Sequence, residues 1–452
     1  MKKKVMLKEK LLRVSIGLIA LFTATIFLVT NRNVNNLVEQ NISAKLDSIS
    51  SLGMEIIKST YAGDWDVKNG KLFIGDNLVS NNFEALDAIK EKTGSLTTLY
   101  LGDESVATSV MDKNGERMHA SKVSSQVAES VLTNGDAFEG TENVLGETYA
   151  SKYVPIKDKM GQVIGIWFVG IPKSDIESQG GKIFEMMASI VVISILCGML
   201  GCIILVIYSK KYLKDIDTLK VSFLGSNSNS KNAQQKVLTM SLLLIGTFIV
   251  IWVTIQGFTI GSVVNKIVDN NIKDMLNTGS ELGYMLVDEK YKGDWSFFDN
   301  KLYKGTTPLN DNSMIVDTIG SNTESRSTIF MNDTRISTNI LKTDGTRAIG
   351  TKASDEVIET VLKQGKEFTG ETLDVDKKCI TKYTPLKDSN GEIIGMWFIG
   401  VDKKFINNQI VGLRKPITQI SIFAIIIAFI TFLFLSRRMV SDVENFDVRL
   451  SA

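Results

Sequence analysis

Cationic and hydroxyl side chains cluster in a short stretch of the second half of the chain. Arg335, Arg347 and Lys352 supply the positive charge. A guanidinium is a planar donor that holds an anion through two hydrogen bonds, whereas an ammonium acts as a point charge. The stretch therefore predicts recognition of a small anion, oriented by the neighbouring polar side chains Thr328, Asp333, Thr338 and Thr351. The alternative is that Arg335 and Arg347 are solvated strand or turn residues, paired with Asp333 or Asp344.

The first half of the chain contains an equivalent of this stretch, because the sequence is duplicated. Tyr61–Trp65 (YAGDW) recurs as Tyr291–Trp295 (YKGDW), which lies 230 residues later. Lys152–Asp158 recurs as Lys382–Asp388 at the same separation. Repetition at a constant separation indicates two copies of one folding unit.

The first copy retains some of the candidate binding residues and lacks one. Those retained are Asp103, Thr108, Arg117 and Lys122. Ser105 stands where the second copy has Arg335, so one guanidinium is missing. A hydrogen bond to a charged group contributes about 1.5–3 kcal/mol. We therefore predict that the two copies do not bind one ligand equally, the first being a weaker site or no site.

Residues for catalysis or metal binding are scarce. His119 is the only histidine, and it has no neighbours that resemble a metal-ligand set. Of the three cysteines, Cys197 and Cys202 lie within an apolar stretch and only Cys379 lies outside one. No Ser/His/Asp arrangement can be built within either copy. The net charge of +1 gives no field for nucleic acid. We expect no enzyme activity, no metal and no cofactor.

Four apolar stretches have the length that a helix needs to cross a bilayer, about 20 residues. They are Val14–Val29, Met186–Tyr208, Val237–Ile260 and Pro416–Leu435. A cleaved signal peptide is the alternative for the first, but no small-residue cleavage site follows it. Lys and Arg concentrate before the first stretch, between the second and third, and after the fourth. This pattern places both termini in the cytoplasm.

The stretches divide the chain into eight segments. These are a cytoplasmic start and first span (1–30), a first extracytoplasmic domain (31–182), a second span (183–208), a cytoplasmic loop (209–236), a third span (237–260), a second extracytoplasmic domain (261–413), a fourth span (414–436) and a cytoplasmic tail (437–452).

Each extracytoplasmic domain is predicted to be α+β. Apolar residues such as Val264, Ile267 and Ile272 recur at helical spacing after the third span, which predicts a long amphipathic helix leaving the membrane. In the second copy we predict strands at Ser327–Met331, Ile336–Leu341, Cys379–Lys387 and Glu392–Val401, and a helix at Asp355–Gln364. The order favours a long N-terminal helix packed on an antiparallel sheet.

Several motifs of the second copy resemble the single Cache (PAS-like) sensor domains of bacterial methyl-accepting chemotaxis proteins. They are Gly293–Trp295, Thr328–Asn339, Gly345–Ser354, Tyr383–Asp388 and Gly391–Gly400. The resemblance implies a multi-pass receptor of the bacterial cell membrane whose pocket lies over the central strands. It also implies small organic anions, such as carboxylates, as one class of ligand.

The sequence departs from such receptors after each exit from the membrane. Only a HAMP-like start follows, at Tyr212–Ile216 and Val440–Glu444, without a signalling coiled coil. We therefore expect chemoreceptor-like sensing read out through a partner such as another receptor or a kinase. The alternative is a non-signalling solute-binding or scaffold component of a membrane complex. The long helices predict either a homodimer or an internal pseudo-dimer of the two copies.

Overall fold

The computed structural model describes residues 2–174 and 227–408 except 376, together with parts of 185–196 and 410–430. The chain divides into two compact units. One comprises Met1–Asn36, Gln179–Ile267 and Gln409–Ala452, and the other comprises Leu37–Ser178 and Val268–Asn408. The second unit, which we call the two-copy unit, contains both copies of the repeat.

Each copy begins with a long helix, as predicted. Helix α1 in the first copy spans Lys2–Tyr61 and contains the first apolar stretch. After it, the first copy contains β1 (Trp65–Lys68), β2 (Lys71–Ile74), β3 (Asn77–Leu78), α2 (Glu84–Thr93), β4 (Leu96–Leu101), β5 (Glu104–Thr108), α3 (Ser125–Ala128) with a π-helical turn (Glu129–Thr133), β6 (Phe138–Val144), β7 (Glu147–Lys157) and β8 (Val163–Pro172).

Helix α4 spans Asn227–Lys290, contains the third apolar stretch and opens the second copy. The second copy continues with β9 (Trp295–Phe298), β10 (Lys301–Lys304), β11 (Thr307–Pro308), α5 (Ser313–Thr323), β12 (Arg326–Met331), β13 (Thr334–Thr338), α6 (Asp355–Val357) with a π-helical turn (Ile358–Lys363), β14 (Phe368–Asp374), β15 (Lys377–Lys387) and β16 (Ile393–Asp402).

Both copies form a five-stranded antiparallel sheet with the same strand order, β5-β4-β8-β7-β6 and β13-β12-β16-β15-β14. The registers also agree, since Thr98 pairs with Thr108 as Thr328 pairs with Thr338. Each copy adds a small three-stranded sheet, β1–β3 or β9–β11. The repeated Gly-Asp-Trp motif begins this small sheet: Gly293 has a φ of +111°, and a Cβ there would lie 2.8 Å from Gly305 Cα. Only glycine allows this approach.

The two faces of the second sheet have different partners. Alternate side chains point to opposite faces of a strand. Ile329 and Trp397 belong to the buried cluster that contains Leu282 and Leu286 of α4. Phe330 and Phe398 belong to a separate cluster with Val357 and Val361 of the α6 segment and its π-helical turn. We call this second side the aromatic face.

Glycines allow each long helix to approach its sheet closely. A Cβ at Gly283 would lie 2.9 Å from the Trp397 ring, and one at Gly53 would lie 3.0 Å from the Trp167 ring. Both tryptophans are essentially buried. Positions 53 and 283 are equivalent in the two copies, so the duplication kept this contact.

The second copy differs locally from the predicted elements. The strand predicted at Ile336–Leu341 is Thr334–Thr338, because the chain then turns through a bridge that joins Leu341 to Arg347. The predicted helix Asp355–Gln364 is divided into α6 and its π-helical turn. The strands Cys379–Lys387 and Glu392–Val401 are confirmed to within two residues at each end.

Within the described residues, one helix is long and apolar enough to cross a membrane by length and composition, Lys403–Ile427. It overlaps the fourth predicted span. Most of Met186–Tyr208, residues 209–226 of the predicted cytoplasmic loop, and the tail 437–452 lie outside the described residues. Arg414 donates a hydrogen bond to the carbonyl of Gly261 at 3.1 Å.

Candidate functional site on the second sheet

Three aromatic rings form the floor of the candidate site on the aromatic face. Tyr383 lies at the centre, with its ring centroid 4.8 Å from that of Phe398 and 5.9 Å from that of Phe330. They come from β15, β16 and β12, which are adjacent strands. Burial raises the pKa of the Tyr383 phenol, so this hydroxyl stays protonated.

Arg335 lies beside these rings and is buried, with 3% of the residue exposed. Its guanidinium carbon is 5.0 Å from the centre of the Phe330 ring, within the range of a cation–π contact. Nη1 donates to Thr351 Oγ1 at 2.5 Å, and Nη2 donates to Asp374 Oδ1 at 2.5 Å. Nε is buried and has no hydrogen-bond partner among the described residues.

Asp374 connects two guanidiniums. Its side chain is fully buried, and Oδ2 accepts a hydrogen bond from Arg326 Nη1 at 3.0 Å. Arg335 lies on β13 and Asp374 on β14, the two edge strands of the sheet. Edge strands of a flat five-stranded sheet would be about 19 Å apart at the usual strand spacing. The ion pair therefore requires a strongly curved sheet whose edges approach each other over the aromatic face.

The charges around Asp374 do not cancel. Arg326 also approaches Asp402 Oδ2 at 3.8 Å, and the same oxygen lies 3.9 Å from Lys377 Nζ. Three cations thus face two carboxylates, and the excess cation is Lys377, whose side chain is 52% exposed. Cys379, buried beside them, adds no negative charge, because burial raises the pKa of its thiol to about 12. The cluster carries one excess positive charge.

Arg347 lies outside this cluster, and its contacts connect a helix to the sheet. It donates to both carboxylate oxygens of Asp317 at 2.8 Å and to the carbonyl of Thr338 at 2.6 Å. Arg117 makes the same contacts with Asp87 and the carbonyl of Thr108 in the first copy. This ion pair fixes a short helix, α5 or α2, to the sheet in both copies. The suggested alternative partners of Arg347, Asp333 and Asp344, do not bind it.

Other predicted site residues pair with one another. Lys352 Nζ lies 2.7 Å from Asp333 on an exposed hairpin. Lys122 and Asp103 form the equivalent pair at 3.0 Å. The hydroxyls of Thr328 and Thr338 share a hydrogen bond of 2.7 Å, as do those of Thr98 and Thr108. Of the predicted set, the structure therefore brings Arg335 and Thr351 into the buried charged cluster.

The first copy replaces the triad of Arg326, Asp374 and Arg335 with uncharged side chains, while Glu147 stands at the position of Lys377. Arg326, Arg335 and Asp374 correspond to Leu96, Ser105 and Val144, and Cys379 corresponds to Tyr149. Leu96 and Tyr149 join Tyr100, Tyr153 and Phe168 in an apolar cluster, against which Val144 packs. Ser105 Oγ lies 3.0 Å from Ser121 Oγ. The space occupied by charges in the second copy is filled by apolar side chains in the first.

Arg326 and Asp374 were missed by the sequence analysis. The signal that could have found them is in the repeat, because Arg326, Arg335 and Asp374 are all replaced by uncharged residues at the equivalent positions of the first copy. In the described part of the chain, no three His, Cys, Asp or Glu side chains are grouped so as to hold a metal ion.

The duplicated fold belongs to a class of sensor domain. The sequence profile of the family described as single Cache domain 3 matches residues 77–182 and again residues 307–412. Each copy is therefore a single Cache domain, and the protein is a tandem duplication of this domain.

Solved structures similar to the chain include sensor domains. The sensor domain of DcuS from E. coli is 19% identical over 22% of this chain and 71% of its own, with a TM-score of 0.18. The ligand-binding domain of the Campylobacter jejuni chemoreceptor Tlp3, in complex with L-norvaline, is 20% identical over 38% of this chain, with a TM-score of 0.23. The match covers 62% of the Tlp3 chain, which is less than two thirds of it. No curated protein matches the chain.

Proposed function

We propose that this protein is a membrane receptor whose second Cache domain senses a small extracellular anion. The four apolar stretches would cross the bacterial cell membrane, with both termini in the cytoplasm and both Cache domains outside. The first Cache domain would bind no ligand of this class, since Arg326, Arg335 and Asp374 are replaced there by uncharged residues.

The observation that carries the proposal is the donor Arg335 Nε, which has no hydrogen-bond partner in the described part of the chain. A buried donor without a partner costs about 1–3 kcal/mol, and a ligand oxygen placed on it would recover that cost. Arg335 Nε is such a donor in a residue that is 3% exposed. A carboxylate is a suitable acceptor, because charge-assisted hydrogen bonds to guanidinium are among the strongest in proteins.

The net charge of the cluster limits the charge that a ligand should carry. Because the cluster carries one excess positive charge, a ligand with one net negative charge neutralises it. A dianion would leave a net negative charge on the cluster, and a zwitterion would leave the positive charge in place. The rings of Phe330, Tyr383 and Phe398 belong to one buried apolar cluster, which would contact a short carbon chain on a ligand held by Arg335. A small monocarboxylate satisfies both requirements.

Signalling would begin with a displacement of the long helix against the sheet. Helix α4 packs on the opposite face of the same sheet and continues into the third apolar stretch. A ligand that binds one arrangement of helix and sheet more tightly shifts the population toward it. We propose that another receptor or a kinase reads this displacement, in a chemotaxis-like response.

A thermal-shift assay on the purified full chain in detergent tests the proposal. The panel contains sodium salts of acetate, propionate, lactate and pyruvate as monoanions, succinate and malate as dianions, and alanine and valine as zwitterions, all at matched ionic strength. A monoanion at a hundred times its Kd stabilises the native state by about 2.7 kcal/mol, which raises the melting temperature. We expect this shift from monoanions only.

The variant Arg335→Ser, which introduces the residue of the first copy, is the matched test of the site. It should remove the thermal shift, whereas Ser105→Ala in the first copy should keep it. A shift of equal size in Arg335→Ser would refute the assigned site. No shift from any monoanion would refute the assigned class of ligand.

A further inference from the structure

We propose that the first Cache domain is the built-in partner of the second, so that one chain forms a complete sensor pair with a single ligand site. The pair forms through the long helices α1 and α4. This inference concerns the surface between the domains and stands whether or not the ligand is a monoanion.

Buried apolar side chains join the two copies. One cluster contains Leu52 and Ile56 of α1 together with Leu282 and Leu286 of α4. All four are 0–1% exposed. A continuous apolar cluster across two domains is typical of a permanent contact.

Two polar contacts cross the same surface. Thr60 Oγ1 donates to Glu289 Oε2 at 2.8 Å, which connects the ends of the long helices. Lys92 Nζ, at the end of α2, lies 3.4 Å from Glu281 Oε2 of α4. Both contacts join a residue of the first copy to one of the second, so they hold the domains in one register.

The sequences of the two copies differ at these positions in a way that favours a mixed pair, meaning one first copy packed against one second copy. The residue equivalent to Glu281 in the first copy is Ser51, and the residue equivalent to Lys92 in the second is Asn322. Two first copies paired in the same way would place Lys92 opposite Ser51, and two second copies would place Glu281 opposite Asn322. Only the mixed pair places a cation opposite an anion. A charge pair that exists in one combination alone is a device for specificity.

This pairing explains why a domain without the charged cluster is retained. The first copy covers the apolar side of α4 and gives that helix a fixed surface to move against. Because only one domain carries the buried charges, the chain binds one ligand for every two Cache domains.

Cross-linking of the full chain in native membranes tests the pairing. The three cysteines are first replaced by serine, and Thr60→Cys and Glu289→Cys are introduced together and treated with a short bis-maleimide. We expect a cross-linked product at the size of one chain. The matched experiment places Thr60→Cys in one tagged chain and Glu289→Cys in a second, co-expressed chain, where we expect no cross-linked dimer.

Charge reversal tests the specificity of the contact. In the chain that carries Thr60→Cys and Glu289→Cys, the further substitution Lys92→Glu should reduce the yield of the intrachain cross-link at least severalfold. Adding Glu281→Lys should restore it. The proposal is overturned by a dimer from the split pair with little intrachain product, or by a yield that is insensitive to Lys92→Glu.

Discussion

The substitution Asp374→Asn removes the only fully buried carboxylate of the charged cluster. Asp374 binds Arg335 at 2.5 Å and Arg326 at 3.0 Å, and its own side chain is 0% exposed. The substitution leaves one guanidinium, that of Arg335, almost completely buried without a counter-charge. Arg326 is 17% exposed and still has Asp402 at 3.8 Å, so it retains a second partner.

Breaking a buried ion pair by removing one member costs about 3–5 kcal/mol. Because Arg326 still has Asp402 as a partner, we expect a loss of stability at the lower end of this range, about 3 kcal/mol. This corresponds to roughly a hundredfold change in the opening equilibrium of the second domain. The exposed pair of Lys352 and Asp333 is the control, since Asp333→Asn should cost at most about 1 kcal/mol.

The first copy provides a second control, because it shows what replaces the cluster. The variant Arg326→Leu, Arg335→Ser, Asp374→Val installs the residues found at Leu96, Ser105 and Val144. Replacing a buried ion triad by apolar residues is often neutral or stabilising. We therefore expect the triple variant to be within about 1 kcal/mol of the parent, in contrast to the single variant.

Hydrogen exchange measured by mass spectrometry on the full chain reports each domain separately. In Asp374→Asn, peptides of β12 and β16 should exchange about a hundredfold faster, while peptides of β4 and β8 are unchanged. The triple variant should exchange like the parent. Unchanged exchange in Asp374→Asn, or equal acceleration in the triple variant, would refute the assignment of a coupled, buried charge cluster.

Three further predictions concern buried side chains of the same sheets. Trp167 Nε1 donates to the carbonyl of Ser50 at 3.0 Å, whereas Trp397 Nε1 is buried without a partner among the described residues. Trp167→Phe should therefore lower the free energy of unfolding of its domain by about 1 kcal/mol more than Trp397→Phe does, measured by hydrogen exchange, and equal losses would contradict this. Burial raises the pKa of Cys379 to about 12, so its thiol should resist N-ethylmaleimide at pH 8 in a chain whose other cysteines are serine, and rapid labelling would contradict its burial. Because the folded state keeps this proton, stability should fall as pH rises above about 8.5, the ordinary thiol value, and a Cys379→Ser variant should lack this contribution.

Features set by local chemistry could be predicted from the sequence. The hairpin at residues 388–391 is one, because Asp388 Oδ1 accepts hydrogen bonds from the backbone N–H groups of Asn390 and Glu392 within the turn itself. The duplication is another, since it needs no structure to be detected. Helix α5 was not predicted, because its sequence contains Ile315, Val316 and a glycine, which are weak helix formers. Burial of its apolar face against the core outweighs that weak propensity.

The candidate site was only partly predictable, for a topological reason. Arg335 was identifiable from its residue type and from its loss in the first copy. Asp374 lies 39 residues later, on the opposite edge strand. Their contact depends on how strongly the sheet curves, which no local pattern reports. Arg347 was equally prominent in the sequence, but its partner Asp317 comes from α5, the helix that was not predicted.

The central claim is that the second Cache domain holds the ligand site and the first does not. Equilibrium dialysis of the full chain against the monocarboxylate that gives the largest thermal shift tests this claim most directly. We predict one bound molecule per chain, lost in Arg335→Ser and retained in Ser105→Ala. Two bound molecules per chain, or binding that persists in Arg335→Ser, would contradict it.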